Sequence, residues 1–188
     1  MNILYLIGNG FNIARGFKTW YTDFYPYYVN RTFTDPAVEK ICYEIGKNFN
    51  TWADLEYRLG QYCAEITKDD FENVYYDLSD RLQEYLKAET AGASFEEQDL
   101  NKLHLDLAEP FKYLSGIDNV RLKNKFDSDI SHHVNIISFN YTDVIDKVFS
   151  KNSMIGTAMG TNLFLDNIYH IHGVLGQTII LGLMMRPR

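Results

Sequence analysis

The amino-acid sequence predicts an α/β protein with an open parallel sheet and a helical insertion. Two short apolar runs, residues 2–7 and 134–139, each stop at a polar or glycine-containing turn, and each is followed by a short helical pattern. Between the two runs, apolar residues recur every three or four positions through residues 35–114. A strand, a loop and a helix at each end, separated by helices, are typical of an open α/β sheet. We therefore expect a single α/β domain over 1–188, with the helical insertion at 35–114.

Each element follows from a local pattern. The first run is continuously apolar, which predicts a strand buried on both faces. A short helix at 11–15 and then an irregular aromatic segment to residue 28 are expected after it. Asp35 followed by Pro36 is typical of a capped helix start. Apolar spacing predicts helices over 35–49, 52–66, 71–86 and 95–114, the last disturbed at Pro110, and a polar helical segment over 119–131. In the last third of the chain we expect strands over 134–139, 167–171 and 177–181, and a helix over 144–149 that Thr142 caps.

Composition and charge limit the classes of function. The chain has 188 residues, of which 46% are hydrophobic and 23% charged, and this describes a folded domain. Its net charge of −7 and pI of about 5.2 argue against a duplex nucleic acid partner, because phosphates attract basic surfaces. Cys42 and Cys63 are too few for a disulfide framework or a cysteine zinc site, and we expect no metal. No apolar run is long enough to span a membrane and the N-terminus lacks a signal-peptide pattern, so we expect a cytoplasmic protein without membrane contact.

A glycine-containing loop follows the first predicted strand. Gly8-Asn9-Gly10-Phe11 stands where a Rossmann-like fold brings backbone N–H groups against a phosphate. The full dinucleotide fingerprint is absent, because Ile13 occupies the position of its third glycine. The alternative is a tight turn that needs two glycines. We expect Gly8, Asn9, Gly10 and Phe11 to bind a nucleotide cofactor.

A polar turn follows the second predicted strand. Ligands of open α/β sheets bind beyond the carboxyl ends of the strands. Asn140 offers hydrogen-bond donors and an acceptor there, and Asp143 offers a carboxylate. The alternative is that Asn140 and Thr142 are only turn and cap residues. We expect cofactor contacts from Ser138, Tyr141 and Asp143.

Histidine pairs occur at two places. His170 and His172 are two positions apart, and a glycine follows the second. We expect one of them to be a buried structural residue, and His172 to reach the ligand and act as a general base. His132 and His133 stand in a polar setting without metal-binding spacing, and we expect both at the surface.

Two further segments have both a structural and a functional interpretation. Asp54 and Glu56 open a predicted helix, where carboxylates favour the positive end of the helix dipole, and that role suffices for both. Contact with a ribose is the functional alternative. The aromatic side chains before residue 29 are typical of a core or a lid. We favour the lid for this set, which comprises Phe17, Trp20, Tyr21, Phe24, Tyr25, Tyr27 and Tyr28.

Taken together, these segments resemble the AbiH family of bacterial abortive-infection proteins, which act against phages. The resemblance rests on motifs in the family's order: residues 7–16 with Thr19, Tyr21 and Phe24, then 52–56, 137–142 and 171–173. Asn12 and Arg15 depart from the family's pattern, which usually has Asp and His there, so a carboxylate role is not expected at position 12. Family members generally continue beyond residue 182, and we expect a shortened C-terminus here.

The order of glycine loop, Asn-Tyr turn and His-Gly is also similar to the sirtuin-like fold of NAD-cleaving defence enzymes. That resemblance implies that Asn140 and His172 are the catalytic pair. Asn140 would orient the ribose or the attacking water, and His172 would accept a proton. The implied ligand is NAD or a related adenine nucleotide, with residues 8–11 holding the pyrophosphate. The implied activity is hydrolysis of NAD to nicotinamide and ADP-ribose.

A second hypothesis comes from the distribution of charge. Residues 65–109 contain thirteen acids and four bases, a net charge of −9, which leaves +2 for the remainder of the chain. The alternative function is a non-enzymatic sensor or toxin component whose acidic helical insertion binds a protein partner. A homo-oligomer is the other macromolecular assembly that we consider.

Overall fold

The fold contains a four-stranded sheet. The computed structural model describes residues 1–127, 131–149, 153–158 and 161–182. The sheet consists of β1 (Asn2–Ile7), β2 (Ser131–Ser138), β3 (Ser153–Ala158) and β4 (Thr161–His170), in the order β1-β2-β4-β3. Strands β1, β2 and β4 are parallel, and β3 is antiparallel to β4. The predicted α/β class with an open, mostly parallel, Rossmann-like sheet is confirmed.

Helices make up most of the remaining described chain. They are α1 (Gly10–Ile13), α2 (Tyr21–Val29), α3 (Pro36–Lys47), α4 (Leu55–Tyr62), α5 (Lys68–Thr90), α6 (Glu97–Ala108), α7 (Gly116–Asp127) and α8 (Val144–Val148), with 3-10 helices at Phe49–Trp52 and Pro110–Tyr113. Asp35 caps α3 as predicted, because its Oδ1 accepts from the backbone N–H groups of Ala37 and Val38 at 2.8 and 3.1 Å. The disturbance predicted at Pro110 is confirmed, since α6 ends before it. No helix in the described ranges has the length and apolar content needed to cross a bilayer.

The described residues form two compact units. The sheet unit comprises residues 1–8, 93–139 and 143–171, and the helical unit comprises residues 9–92, 140–142 and 172–182, each within the described ranges. The chain leaves the sheet unit after β1, builds most of the helical unit and returns at residue 93. It enters the helical unit again for a few residues after β2 and once more after β4. The bounds predicted for the helical insertion, 35–114, stay a prediction.

In the sheet unit, helices cover one face of the sheet. The backbone of β3 approaches α6 so closely that a Cβ on Gly156 would lie 3.1 Å from the Ala108 Cβ. The ring of Phe126 in α7 lies 4.4 Å from the ring of His132 in β2. His132 is fully buried, so the expectation that it lies at the surface is wrong. Its neighbour His133 points to the other face, is about half exposed and contacts Asp166 at 3.0 Å.

Strand β1 is an edge strand. Leu4 and Leu6 point to the face that the helices do not cover, and they are 58% and 65% exposed. The prediction that this strand is buried on both faces is therefore wrong. Its apolar run is the pattern of a central strand, but only one of its two faces is packed.

The helical unit has an aromatic core that includes α2. Phe24, Tyr25 and Tyr28 are fully buried, and the Phe24 ring lies 5.8 Å from that of Tyr25 and 5.4 Å from that of Tyr28. The prediction of an irregular segment is wrong, because residues 21–29 form a helix with these side chains on one side. The lid interpretation is wrong for these three residues, since a lid would leave them accessible.

The segment after β4 is not a strand. The predicted strand over 177–181 is therefore wrong, and its apolar residues Ile179 and Leu181 are buried without pairing to the described strands. Both instead pack into the core of the helical unit. The segment is held by hydrogen bonds from Ile180 N to the His172 carbonyl at 2.9 Å and from Leu181 N to the Tyr75 hydroxyl at 3.1 Å. Strand β3, which we did not predict, completes the sheet.

Candidate functional site

The segments that follow β1 and β2 are joined within the helical unit. The Asn12 Nδ2 donates to the Thr142 Oγ1 at 2.9 Å, and both side chains are almost completely buried. The Asn12 Oδ1 is also buried and has no hydrogen-bond partner among the described residues. The glycine-containing loop and the turn that carries Asn140 are therefore neighbours. In the sequence alone, Asn12 is notable only as a departure from a motif.

The turn after β2 also contacts the segment after β4. Leu175 N donates to the Tyr141 carbonyl at 2.8 Å, and the rings of Tyr141 and His172 lie 5.6 Å apart. Three segments that follow parallel strands thus meet in the helical unit. This arrangement agrees with the rule that ligand sites of open α/β folds form beyond the carboxyl ends of the strands.

Glu56 joins this cluster from α4. Its Oε1 accepts from the Tyr21 hydroxyl at 2.9 Å and from the Tyr141 hydroxyl at 2.5 Å. Burial raises the pKa of both phenols well above their usual range, and the nearby Glu56 carboxylate raises them further. Both hydroxyls therefore stay protonated and donate to the carboxylate. The interpretation of Glu56 as only a helix-dipole residue is incomplete, whereas Asp54 does cap α4 by accepting from Tyr57 N at 3.0 Å.

The backbone after His172 is packed tightly around this cluster. Gly173 has a φ of +76°, and a Cβ there would lie 2.2 Å from the Thr178 carbonyl oxygen, so only glycine fits. A Cβ on Gly182 would lie 3.0 Å from the Glu56 Oε2 and 3.1 Å from the His172 Cε1. Glu56 and His172 therefore lie against the same point of the backbone.

In the first loop, neither packing nor backbone conformation requires glycine at positions 8 and 10. A Cβ on Gly8 or Gly10 would meet no other part of the described chain within 4 Å, and neither φ is in the left-handed region. The alternative of a tight turn that needs both glycines is not supported by this geometry. Open space beside the backbone is what close approach of a ligand requires. Helix α1 has only four residues, so its dipole adds little.

The side chains of the other two loop residues, Asn9 and Phe11, make contacts within the helical unit. The Asn9 Nδ2 donates to the Thr19 carbonyl at 2.8 Å, and the Thr19 hydroxyl donates to the Asn9 Oδ1 at 2.6 Å. The Phe11 ring lies 5.0 Å from the Arg15 guanidinium carbon. These hydrogen bonds hold the loop against Thr19, and they involve both polar atoms of the Asn9 side chain.

The remaining predicted site residues differ in burial. Asn140 is 4% exposed in the helical unit, and Ser138 is fully buried at the end of β2 in the sheet unit. Asp143 lies in the sheet unit, half exposed, and pairs with Lys147 at 3.1 Å. The prediction that Thr142 caps α8 is wrong, because Asp143 occupies the cap position and the Thr142 hydroxyl accepts from a side chain of α1.

His170 differs from His172 in its contacts. It ends β4, is mostly buried and lies 2.8 Å from the Asp146 Oδ2 through its Nε2. This burial and this side-chain contact agree with the expectation that one histidine of the pair is structural.

These features define a class of protein: a Rossmann-like α/β protein in which the segments after three parallel strands contact one another in the helical unit. The sequence profile of a family described as "Bacteriophage abortive infection AbiH" matches residues 4–188. The chain therefore belongs to the AbiH family, and this membership indicates a role in phage abortive infection. Comparisons with curated proteins and with solved structures found no match.

Proposed function

We propose that this AbiH chain binds NAD or a related adenine nucleotide and hydrolyses NAD to nicotinamide and ADP-ribose during abortive infection. One observation carries the proposal. In the helical unit, the contacts Asn12–Thr142, Leu175–Tyr141 and Tyr141–His172 join the glycine loop, the Asn140 turn and the His-Gly segment. A nucleotide site on an open α/β sheet is built from such segments.

The glycine loop is the proposed contact for the pyrophosphate. The space around Gly8 and Gly10 would allow phosphate oxygens to approach backbone N–H groups, which a side chain would prevent. The residues therefore fit a nucleotide at this point. Ser138, Tyr141 and Asp143 stay proposed as further cofactor contacts.

Asn140 and His172 are the proposed catalytic pair. In the hydrolysis, the oxygen of water forms a bond to the ribose C1′, and the bond from C1′ to nicotinamide breaks with its electron pair going to the leaving nitrogen. The Asn140 amide would orient the water or the ribose hydroxyls. The His172 imidazole would take the proton that the water loses and pass it to solvent.

Glu56 is a proposed positioning residue for this pair. Its carboxylate holds the Tyr141 side chain, while the Tyr141 backbone carbonyl accepts from Leu175. The residue next to Asn140 is thus fixed from two sides. A fixed turn would keep the Asn140 amide oriented without loss of conformational entropy in the transition state.

Release of nicotinamide by the purified chain tests the proposal. Asn140→Ala and His172→Ala should each lower the rate by about 100-fold or more. His133→Ala is the matched control, because it removes a partly exposed imidazole from the sheet unit, and it should keep the wild-type rate. Circular dichroism melts of all variants check that the fold survives. Equal rates in wild type and both site variants would contradict the catalytic assignment.

Isothermal titration calorimetry with NAD and ADP-ribose tests binding separately. Wild-type binding that Gly10→Leu weakens would support the nucleotide site, because the larger side chain fills the open space beside the backbone. Absence of binding for both ligands would contradict the proposal. It would favour the alternative of a non-enzymatic sensor or toxin component that acts through a protein partner.

A further inference from the structure

The sheet unit has one sheet face that the helices of that unit do not cover. Strand register places Leu6, Ile137 and Tyr169 side by side across β1, β2 and β4. Phe139 and Ile171 follow two residues further along their segments, and Leu4 precedes Leu6 on β1. We call this set the open face: Leu4, Leu6, Ile137, Phe139, Tyr169 and Ile171.

The open face is exposed to an unusual degree for apolar side chains. Leu6 is 65% exposed, Tyr169 and Ile171 are each 51% exposed, and Phe139 is 44% exposed. Val134, which is also on β2 but points to the opposite face, is fully buried. The exposure of an apolar side chain therefore depends on the face of the sheet and not on the strand. Antiparallel sheets often have one face in contact with water, whereas parallel sheets are normally covered on both faces.

The size of the open face is that of a protein interface. With roughly 150–250 Å² for each large side chain, half exposure of the set amounts to about 500 Å², near the upper end of patches seen on monomers. Asn135 and Asn167, which lie beside each other on the same face, form a polar margin. Core and margin together are smaller than the ~800 Å² that each partner buries in a standard interface, which is the size range of a weak, reversible dimer.

The charge of the open face favours a second copy of this chain as its occupant. The set contains no ionisable acid or base apart from the Tyr169 phenol, although the whole chain carries a net charge of −7. The acids of α6, such as Glu97 and Asp99, belong to a helix that packs on the opposite side of the sheet. His133, on the same face, contacts Asp166 at 3.0 Å, and the six side chains of the open face bring no like charges together when two copies meet.

We propose that the open face is the interface of a homodimer, in which two copies pack sheet against sheet around a two-fold axis. Such sheets pack about 10 Å apart, with side chains of the two faces interleaved. A two-fold axis makes the same patch serve both copies, so the apolar side chains of each copy are covered by those of the other.

Sedimentation velocity of the full chain tests this proposal. From about 1 to 100 µM, the wild type should change from the 21.9 kDa monomer to a species of twice that mass. Leu6→Lys should raise the dissociation constant by about 100-fold, because the two-fold axis introduces two lysines into one apolar interface. Tyr169→Lys is a second variant from another strand and should act in the same direction.

Ile117→Lys is the matched control. Ile117 is 63% exposed, like Leu6, but lies on α7, and its replacement should leave the dissociation constant unchanged. A wild type that is monomeric over the whole concentration range would overturn the proposal. A dimer that Leu6→Lys and Tyr169→Lys leave intact, in variants with wild-type melting, would overturn it as well.

Discussion

Gly173 and Gly176 both have a φ in the left-handed region, +76° and +88°. Only Gly173 is also packed against backbone, with 2.2 Å between a Cβ there and the Thr178 carbonyl oxygen. A Cβ on Gly176 would meet nothing within 4 Å. The two positions therefore separate the cost of backbone strain from the cost of a steric clash in the same loop.

Alanine at these two glycines should have unequal effects. Gly176→Ala should lower the free energy of unfolding by about 1 kcal/mol, the usual cost of a left-handed non-glycine residue. Gly173→Ala should cost at least about 3 kcal/mol, because the chain must also move away from the clash. Urea denaturation measures both. Similar losses in the free energy of unfolding for the two variants would show that the Thr178 backbone moves aside without an energetic cost.

At this scale the structure gives reasons for residue identities that the sequence does not show. The positions of His172 and Gly173 were predicted to be important from their order along the chain, but the need for glycine comes from a contact that only the fold creates. Glu56 was noted as part of a motif and given a helix-end role. Its two tyrosine partners lie 35 and 85 residues away, and no local pattern predicts such a pairing.

Helix α2 shows how the packing of an element overrides its local propensity. Aromatic residues and Pro26 weaken helix formation, so an irregular segment was expected. Tyr21, Phe24, Tyr25 and Tyr28 nevertheless have the spacing of one helix face. Burial of three of these rings supplies roughly 2 kcal/mol or more each, which together exceeds the ~3 kcal/mol that a proline costs in a helix interior.

The hydrogen bonds of Glu56 connect α2, α4 and the turn after β2. Glu56→Ala should lower the free energy of unfolding by about 2–3 kcal/mol, because two buried hydroxyls lose their acceptor. In a Tyr21→Phe/Tyr141→Phe background the same change should cost less than about 1 kcal/mol, because no donor is then left unsatisfied. A double-mutant cycle by urea denaturation measures the coupling. Equal losses in both backgrounds would show that the carboxylate stabilises the fold in another way.

Buried phenols connect the stability of the whole molecule to pH. Burial raises the pKa of Tyr25, Tyr28, Tyr21 and Tyr141 well above 10, and raises the pKa of Tyr85 to about 12. Above about pH 10 the unfolded chain loses phenolic protons that the native state retains. The unfolded state then binds fewer protons than the native state, so stability falls as pH rises.

The free energy of unfolding should therefore decrease between pH 9.5 and 11.5, by up to ~1.4 kcal/mol per pH unit for each such phenol. Urea denaturation at a series of pH values measures the decrease. Phenolate absorbance serves as the control, because the buried phenols should ionise only when the chain unfolds. A stability that is constant over this pH range would contradict the burial of these hydroxyls.

The sequence by itself determined the α/β class, the order of most helices, and the three segments after strands that meet in the helical unit. These features follow from local periodicity, turn chemistry and motif order, which are properties of neighbouring residues. Only the tertiary structure decided that β1 is an edge strand, that residues 177–181 pack as an irregular segment, and that Glu56 joins Tyr141 and His172. Each of these depends on which distant surface is available for burial or hydrogen bonding, and that is a property of the folded chain as a whole.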